Sequence, residues 1–227
     1  IDLSNAVIQY KADAGFAIDP DADRLAVVDE NGEPLGEEYT LVLAADGYIK
    51  NVKKEGEVFV VNLSTSMALE KLSIKNNIKV ERSAVGEINV VNKMNELSSN
   101  FGGEGNGGVI LRESHLGRDS LVAATMVLNR MSQSEVSLSQ IHASLPQFEI
   151  IKDKVSLEGV DPEALIKKVE SLFKEASKTT IDGVKFTWED KWLHLRKSNT
   201  EPIMRIYAEA SNQKSALSLI KRIKELI

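Results

Sequence analysis

Three short stretches concentrate the residue types that chemistry uses. The first, "DPDADR", places Asp19, Asp21 and Asp23 at alternate positions with Arg24 directly behind them. As a regular strand it would put all three carboxylates on one face, where they would repel one another. Pro20 also removes a ladder donor. A loop that wraps its carboxylates round a hard divalent cation relieves both problems, and a small ion such as magnesium keeps positions open for substrate oxygens. Two alternatives stand beside it. One is a solvated acidic turn. The other is a calcium loop of the EF-hand kind, since Asp19, Asp21, Asp23 and Glu30 fall at ligand positions of that motif. Arg24 weighs against the EF-hand because it stands where the motif demands glycine, and the flanks read as strands rather than helices.

The second stretch, "GGEGNGG" at residues 102–108, is neither a dinucleotide fingerprint nor a Walker loop: no GxGxxG opens a helix and no GK[ST] is present. Its glycines could form no more than a tight connection. Glu104 in their midst suggests instead a carboxylate on a closely approaching backbone, suited to sugar hydroxyls. His115 and Arg118 lie near enough in sequence to join it. The third stretch, "LHLRKSNTEPIMR", gathers Arg196, Lys197, Ser198, Asn199 and Thr200, with Arg205 following on the next strand. Guanidinium, ammonium, hydroxyls and turn amides together are what a phosphate monoester requires, although a hairpin turn with solvated cations would show the same composition. His142, on a helix, and His194, in a strand, read as structural.

The elements that must position these groups follow from pattern. "AGFAI" and "LAVVD" flank the acidic turn as short strands, and Asn31-Gly32 closes the second. Ser4 reads as a capping residue in the short N-terminal segment. "YTLVLAADGYI" carries a helical apolar stripe, and "EVFVVNLS", "TSMALEKLSIKNN", "IKVERSAVG" and "EINVVNKMNELSS" alternate strand and helix, which argues for an α/β unit. "LVAATMVLNRMSQ" is a helix capped by Asp119 or Ser120. The stretch after it reads as a linker, in which Pro146 ends any helix. The remainder is a small α+β module: a strand "FEIIKDKVSL", a helix with Asp161 as N-cap and Pro162 at its first position, three strands, and a closing helix.

Composition bounds the function. With 42% hydrophobic and 27% charged residues in 227, the chain is an ordinary globular sequence of one large or two modest domains. A net charge of −6 without blocks of like charge argues against bulk nucleic-acid binding. No apolar run is long enough for a membrane helix. The absence of cysteine excludes disulfides and thiolate chemistry and is compatible with a cytoplasmic location. The chain begins "IDLSNAVIQYK", with neither initiator Met nor leader, so a fragment of a longer protein is expected.

Taken together, the three stretches resemble the loops of the alpha-D-phosphohexomutases, the family of phosphoglucomutase, phosphomannomutase and phosphoglucosamine mutase. "DPDADR" is similar to its metal loop, "GGEGNGG" to its sugar loop and "RKSNTEP" to its phosphate loop, in the family's order and across essentially the whole chain. The resemblance implies Mg2+ held by Asp19, Asp21 and Asp23, with Arg24 beside the reacting phosphoryl group. It implies sugar hydroxyls on Glu104 and a non-reacting phosphate among Arg196, Ser198, Asn199, Thr200 and Arg205. It departs from the family where Asn106 and Gly108 replace the serine and histidine of a GEMSGH-like loop, leaving the histidine's role open unless His115 fills it. Lys197 and Asn199 replace the proline and glycine of RPSGTEP, and Lys197 would add positive charge.

The fold that the resemblance implies is α/β: residues 1–37 as the end of a second domain with the metal loop, 38–135 as an α/β mixed-sheet third domain, 136–148 as linker, and 149–227 as a small α+β fourth domain. The implied activity interconverts hexose or hexosamine 1-phosphate and 6-phosphate through a phosphoserine and a bisphosphate. No stretch resembles the "TASHNP"-like segment that carries that serine, and Ser64, Ser66 and Ser120 lie elsewhere. The expected partners are therefore a phosphorylated hexose or hexosamine and the N-terminal domains of a parent chain, with no nucleic acid and no membrane. The chain alone is expected to be inactive and to bind magnesium weakly; the rival reading is a non-catalytic sugar-phosphate-binding module.

Overall fold

The computed structural model describes residues 2–51, 56–198 and 201–226. They form two compact units, Ile1–Pro146 and Gln147–Ile227.

The first unit opens with helix α1 (Asp2–Tyr10) and a hairpin of β1 (Ala14–Ile18) and β2 (Leu25–Asp29), which pair antiparallel from Ala14↔Asp29 to Ile18↔Leu25. The acidic stretch is thus the hairpin connection. Ser4, expected as a cap, lies inside α1. Then come α2 (Glu37–Asn51), β3 (Val58–Asn62), α3 (Met67–Lys75), β4 (Lys79–Ser83) and α4 (Glu87–Glu96). The glycine-rich stretch makes two strands, β5 (Phe101–Glu104) and β6 (Gly108–Leu111), and α5 (Ser120–Ser132) and α6 (Leu138–Ser144) follow. The sheet runs β4-β3-β5-β6, with β4, β3 and β5 parallel and β6 antiparallel at the edge.

Helix α2 is the centre of this unit. Every residue from Glu38 to Ile49 is buried, so the apolar stripe read from its sequence is one side of a helix enclosed all round. Tyr48 meets Phe59 and Phe101, whose own centroids are 4.6 Å apart. Residues 136–148, expected as linker, contain α6, which packs on this unit: the His142 ring meets Tyr39 edge-on at 4.4 Å, and Tyr39 Oη donates to the Pro146 carbonyl at 3.1 Å.

The second unit is α+β. Strand β7 (Glu149–Ser156), helix α7 (Pro162–Leu172), strands β8 (Ser177–Thr179), β9 (Val184–Thr187), β10 (Lys191–Lys197) and β11 (Ile203–Ala210), and helix α8 (Gln213–Lys224) follow in order. All strand pairs in the sheet β7-β11-β10-β9-β8 are antiparallel. Strand alternation sends Leu193, Leu195, Met204, Ile206 and Ala208 into a core with Leu165, Val169, Leu219 and Ile223 of the two helices. Asp161 caps α7 by accepting from Glu163 N, with Pro162 next to it. Among the described residues no helix is long and apolar enough to cross a membrane.

Candidate functional site

The acidic loop is held on three sides within the first unit. Ser120, fully buried at the start of α5, donates its hydroxyl to the Ala22 carbonyl at 2.8 Å, which gives that serine a structural task. Leu25 N donates to the Gly107 carbonyl at 3.0 Å, tying the loop's exit to the glycine turn. Arg118 reaches Asp23 from the segment preceding α5. Inside the loop, Asp19 Oδ1 accepts from the amides of Asp23 and Arg24, each at 3.1 Å, and its Oδ2 takes Arg24 Nε at 2.7 Å. Slight desolvation would push Asp19 upward, but the amide and guanidinium of Arg24 outweigh it and hold the carboxyl below its usual range.

Glu30 does not join this loop, which removes the EF-hand reading. Its carboxylate sits at the start of α6, accepting Ser139 N at 3.0 Å and the Ser139 hydroxyl. Burial is the largest single influence and would raise it, but the hydroxyls of Ser137 and Ser139 and the Ser139 amide together outweigh it and bring its pKa down to about 2.

Would the loop suit magnesium? Three carboxylates on one turn are the right hard donors, and Asp23 Oδ1 is buried with no hydrogen-bond partner among the described residues, as a ligand atom would be. Yet among the described residues no three acidic or histidine side chains gather into a metal-sized group. Asp19 and Asp23 are each committed to a guanidinium instead. The donor chemistry fits the ion, and its arrangement would have to exchange the contacts of two arginines, Arg24 and Arg118, for it.

Glu104 ends β5, and Asn62 ends the neighbouring parallel strand β3. Carboxyl ends of parallel strands are where α/β sheets place their ligand groups. Glu104 is 3% exposed, so its oxygens are individually accounted for. Oε1 accepts Asn62 Nδ2 at 2.7 Å and Gly86 N at 2.9 Å; Oε2 accepts Arg118 Nη1 at 2.8 Å. The turn after it needs Gly107, whose φ is +88° and whose missing Cβ would stand 2.5 Å from the Leu25 carbonyl oxygen. Asn106 joins Asp19, Arg24 and Glu37 around a cavity of about 280 Å³. His115 is half exposed and pairs with Asp119, the N-cap of α5, at 3.0 Å rather than with Glu104. Burial would lift Asp119, but the Val122 amide and His115 keep it below the usual range.

In the second unit, register aligns the basic residues. Arg196 stands directly opposite Arg205, and Arg205 opposite Lys154, so three cations cross β10, β11 and β7 in one row on one face. Asp182 lies 3.7 Å from Arg196, and Glu201 lies 4.0 Å from Arg205. Lys197 pairs with Met204, and strand alternation puts it on the other face, away from that row. Ser198 is buried at the end of β10, its amide donating to the Ile203 carbonyl at 2.9 Å. Asn199 and Thr200 lie outside the described residues. His194, in β10, bonds through Nε2 to the Asp182 carbonyl at 2.7 Å, and burial lowers its pKa to about 4.

Sequence reasoning missed Asn62, Glu87 and Lys154. For Asn62 the available signal was a polar residue closing an apolar strand. For Glu87 and Lys154 there was none, because Glu87 acts through a bond to the Arg118 amide and Lys154 through strand register.

Comparison with known proteins gives the family to which these domains belong. Residues 36–148 match the family described as "Phosphoglucomutase/phosphomannomutase, alpha/beta/alpha domain III", and residues 154–226 match "Phosphoglucomutase/phosphomannomutase, C-terminal domain". The chain is 35% identical over 207 residues to a phosphoglucomutase/phosphomannomutase of Thermococcus kodakarensis, covering 90% of this chain and 45% of that protein. It is 32% identical over 230 residues to a phosphoglucosamine/phosphogalactosamine mutase of Sulfurisphaera tokodaii, covering all of this chain and 50% of that protein. A crystal structure of a phosphoglucomutase/phosphomannomutase family protein from Burkholderia thailandensis shares the fold with a TM-score of 0.82 at 23% identity, over 99% of this chain and 48% of that one. The chain therefore spans about half the length of the relatives it matches. With two consecutive domain families matched in order, the chain belongs to the alpha-D-phosphohexomutase family.

Proposed function

We propose that this chain carries the metal, sugar and phosphate loops of a magnesium-dependent phosphohexomutase that interconverts hexose or hexosamine 1-phosphate and 6-phosphate through a phosphoserine and a bisphosphate. The observation that carries the reading is the meeting of two stretches far apart in sequence. One guanidinium, that of Arg118, bonds both the acidic loop at Asp23 and the glycine hairpin at Glu104. Relatives named for glucose, mannose, glucosamine and galactosamine phosphates support the substrate class and leave the sugar undivided.

In this reading residues 1–37 are the end of a preceding domain. Asp19, Asp21 and Asp23 would hold magnesium, which when bound neutralises charge on phosphoryl oxygens. Arg24, fixed through Nε by Asp19, presents its charge to the reacting phosphoryl group beside Asn106. Glu104 orients sugar hydroxyls. Arg196 and Arg205 bind the phosphate that is not reacting, relieving the repulsion of two guanidinium groups placed opposite one another.

Calorimetric titration with glucose 6-phosphate and glucosamine 6-phosphate in magnesium tests this. Binding of at least one, weakened by Glu104→Gln and by Arg205→Met, is the expected result; no binding of either overturns the reading. The chain lacks the phosphoserine segment, so it should convert no hexose 1-phosphate to 6-phosphate by itself, even with a bisphosphate activator. Turnover by the pure chain would contradict the assigned roles.

A further inference from the structure

The sequence offers Arg118 as a substrate ligand, but its surroundings give it a different task. Its side chain is only 18% exposed, and its guanidinium stands among three carboxylates. Nη1 donates to Glu104 Oε2 at 2.8 Å, Nη2 bonds Asp23 Oδ2, and Nε lies 3.7 Å from Glu87 Oε2. Glu87 also receives the Arg118 amide at 2.6 Å, which fixes the arginine's backbone. Nε itself has no hydrogen-bond partner among the described residues, so the group is aimed by its two terminal nitrogens. The stem crosses the turn above Gly108: a Cβ on that glycine would lie 2.2 Å from Arg118 Cδ and 2.9 Å from Cγ. Any side chain at residue 108 would therefore have to displace the arginine's stem.

These contacts make the two loops share one cation. Asp23 has one oxygen on Arg118 and one that lies 3.6 Å from Arg24 Nε and has no hydrogen-bond partner among the described residues. A divalent cation taking this carboxylate must weaken the guanidinium's hold, since both draw on the same negative charge. Glu104 Oε1 is already held by Asn62 and Gly86, so Arg118 governs the remaining oxygen, Oε2. We propose that Arg118 is a positioning residue that competes with the divalent cation for Asp23 and transmits occupation of the acidic loop to Glu104, with Gly108 as the space that lets it do so. The proposal deepens the mutase reading and rests on its metal loop.

The test uses magnesium alone, titrated calorimetrically into the whole chain, with the Gly86 amide resonance as reporter of Glu104. The wild type should bind weakly and shift the Gly86 signal on binding. Arg118→Met should bind magnesium roughly tenfold more tightly, because a charge-assisted bond no longer competes. Its Gly86 signal should no longer respond to the ion. Arg118→Lys, which restores the charge, should return affinity toward that of the wild type. A residue that merely supported the fold would weaken magnesium binding when lost. Unchanged or weaker binding in Arg118→Met, or a persistent Gly86 response, overturns the proposal.

Should loss of the arginine strand Glu104 and prevent folding, Arg118→Met with Glu104→Gln removes the stranded charge. Gly108→Ala displaces the guanidinium while keeping it. Both should tighten magnesium binding, and unchanged affinity in both overturns the proposal, as does the absence of magnesium binding throughout. Failure of hexose phosphates to bind would sink the mutase reading while leaving these magnesium results in force.

Discussion

Asp46 and Arg130 offer the sharpest test of what holds the first unit together. Asp46 sits in the enclosed helix α2, and Arg130 reaches it from α5 through Nε. Their side chains are 8% and 10% exposed, so neither charge can turn to water when the other is lost. Asp46→Ala leaves a buried guanidinium uncompensated, a loss of roughly 3–5 kcal/mol. With a urea dependence of about 2 kcal/mol per molar, the midpoint should fall by roughly 2 M. Changing both partners to apolar residues of similar size, Asp46→Leu with Arg130→Met, removes the desolvation cost as well as the attraction. It should recover most of the loss. The assay can separate the two units, because both tryptophans, Trp188 and Trp192, lie in the second. Far-UV circular dichroism follows helix loss in the whole chain, and tryptophan fluorescence follows the second unit. A loss below about 1 kcal/mol in Asp46→Ala, or a double variant as damaged as the single one, would refute the argument.

Two further expectations concern the second unit. His194 titrates near 4 in the fold against an ordinary 6.5, because burial disfavours its charged form. The fold therefore binds fewer protons than the unfolded chain between those values, and the stability contribution present above pH 6.5 is lost as pH falls toward 4. The loss is on the order of 3 kcal/mol. His194→Gln should flatten this part of the pH dependence in fluorescence-detected urea unfolding, and an equal slope in both proteins would count against it. The cation row makes the other expectation. Inorganic phosphate should raise the second unit's melting temperature, Arg205→Met should remove most of that gain, and Lys154→Ala a smaller part. A phosphate effect untouched by both substitutions would show that the row is not the binding surface.

Much of the fold was legible because its signals are local. The N-cap Asp161 with Pro162, the β-branched strands and the apolar faces of α7 and α8 act within a few residues of one another, so the α+β module could be drawn from pattern. The glycine-rich stretch was less legible as two strands, since glycine carries no β propensity of its own; its ladder is set by pairing with β3 and by the turn at Gly107. Within the stretch read as linker, where His142 was expected on a helix, lies α6. Its apolar residues are few, and what fixes it is contact with Tyr39 and the capping carboxylate of Glu30.

The sequence by itself determined the chemical inventory: three alternating aspartates before an arginine, a glutamate among glycines, and a basic loop before a strand. Those identities and spacings are covalent facts. Only the tertiary structure decided who partners whom. It set Asp23 between the distant Arg118 and its neighbour Arg24, sent Glu30 to α6, put His115 on Asp119, and brought Lys154 into line with Arg205 and Arg196. The physical reason is that each of these charges settles with whichever opposite or neighbouring group the packed backbone brings within a few ångströms, and sequence separation has no bearing on that distance.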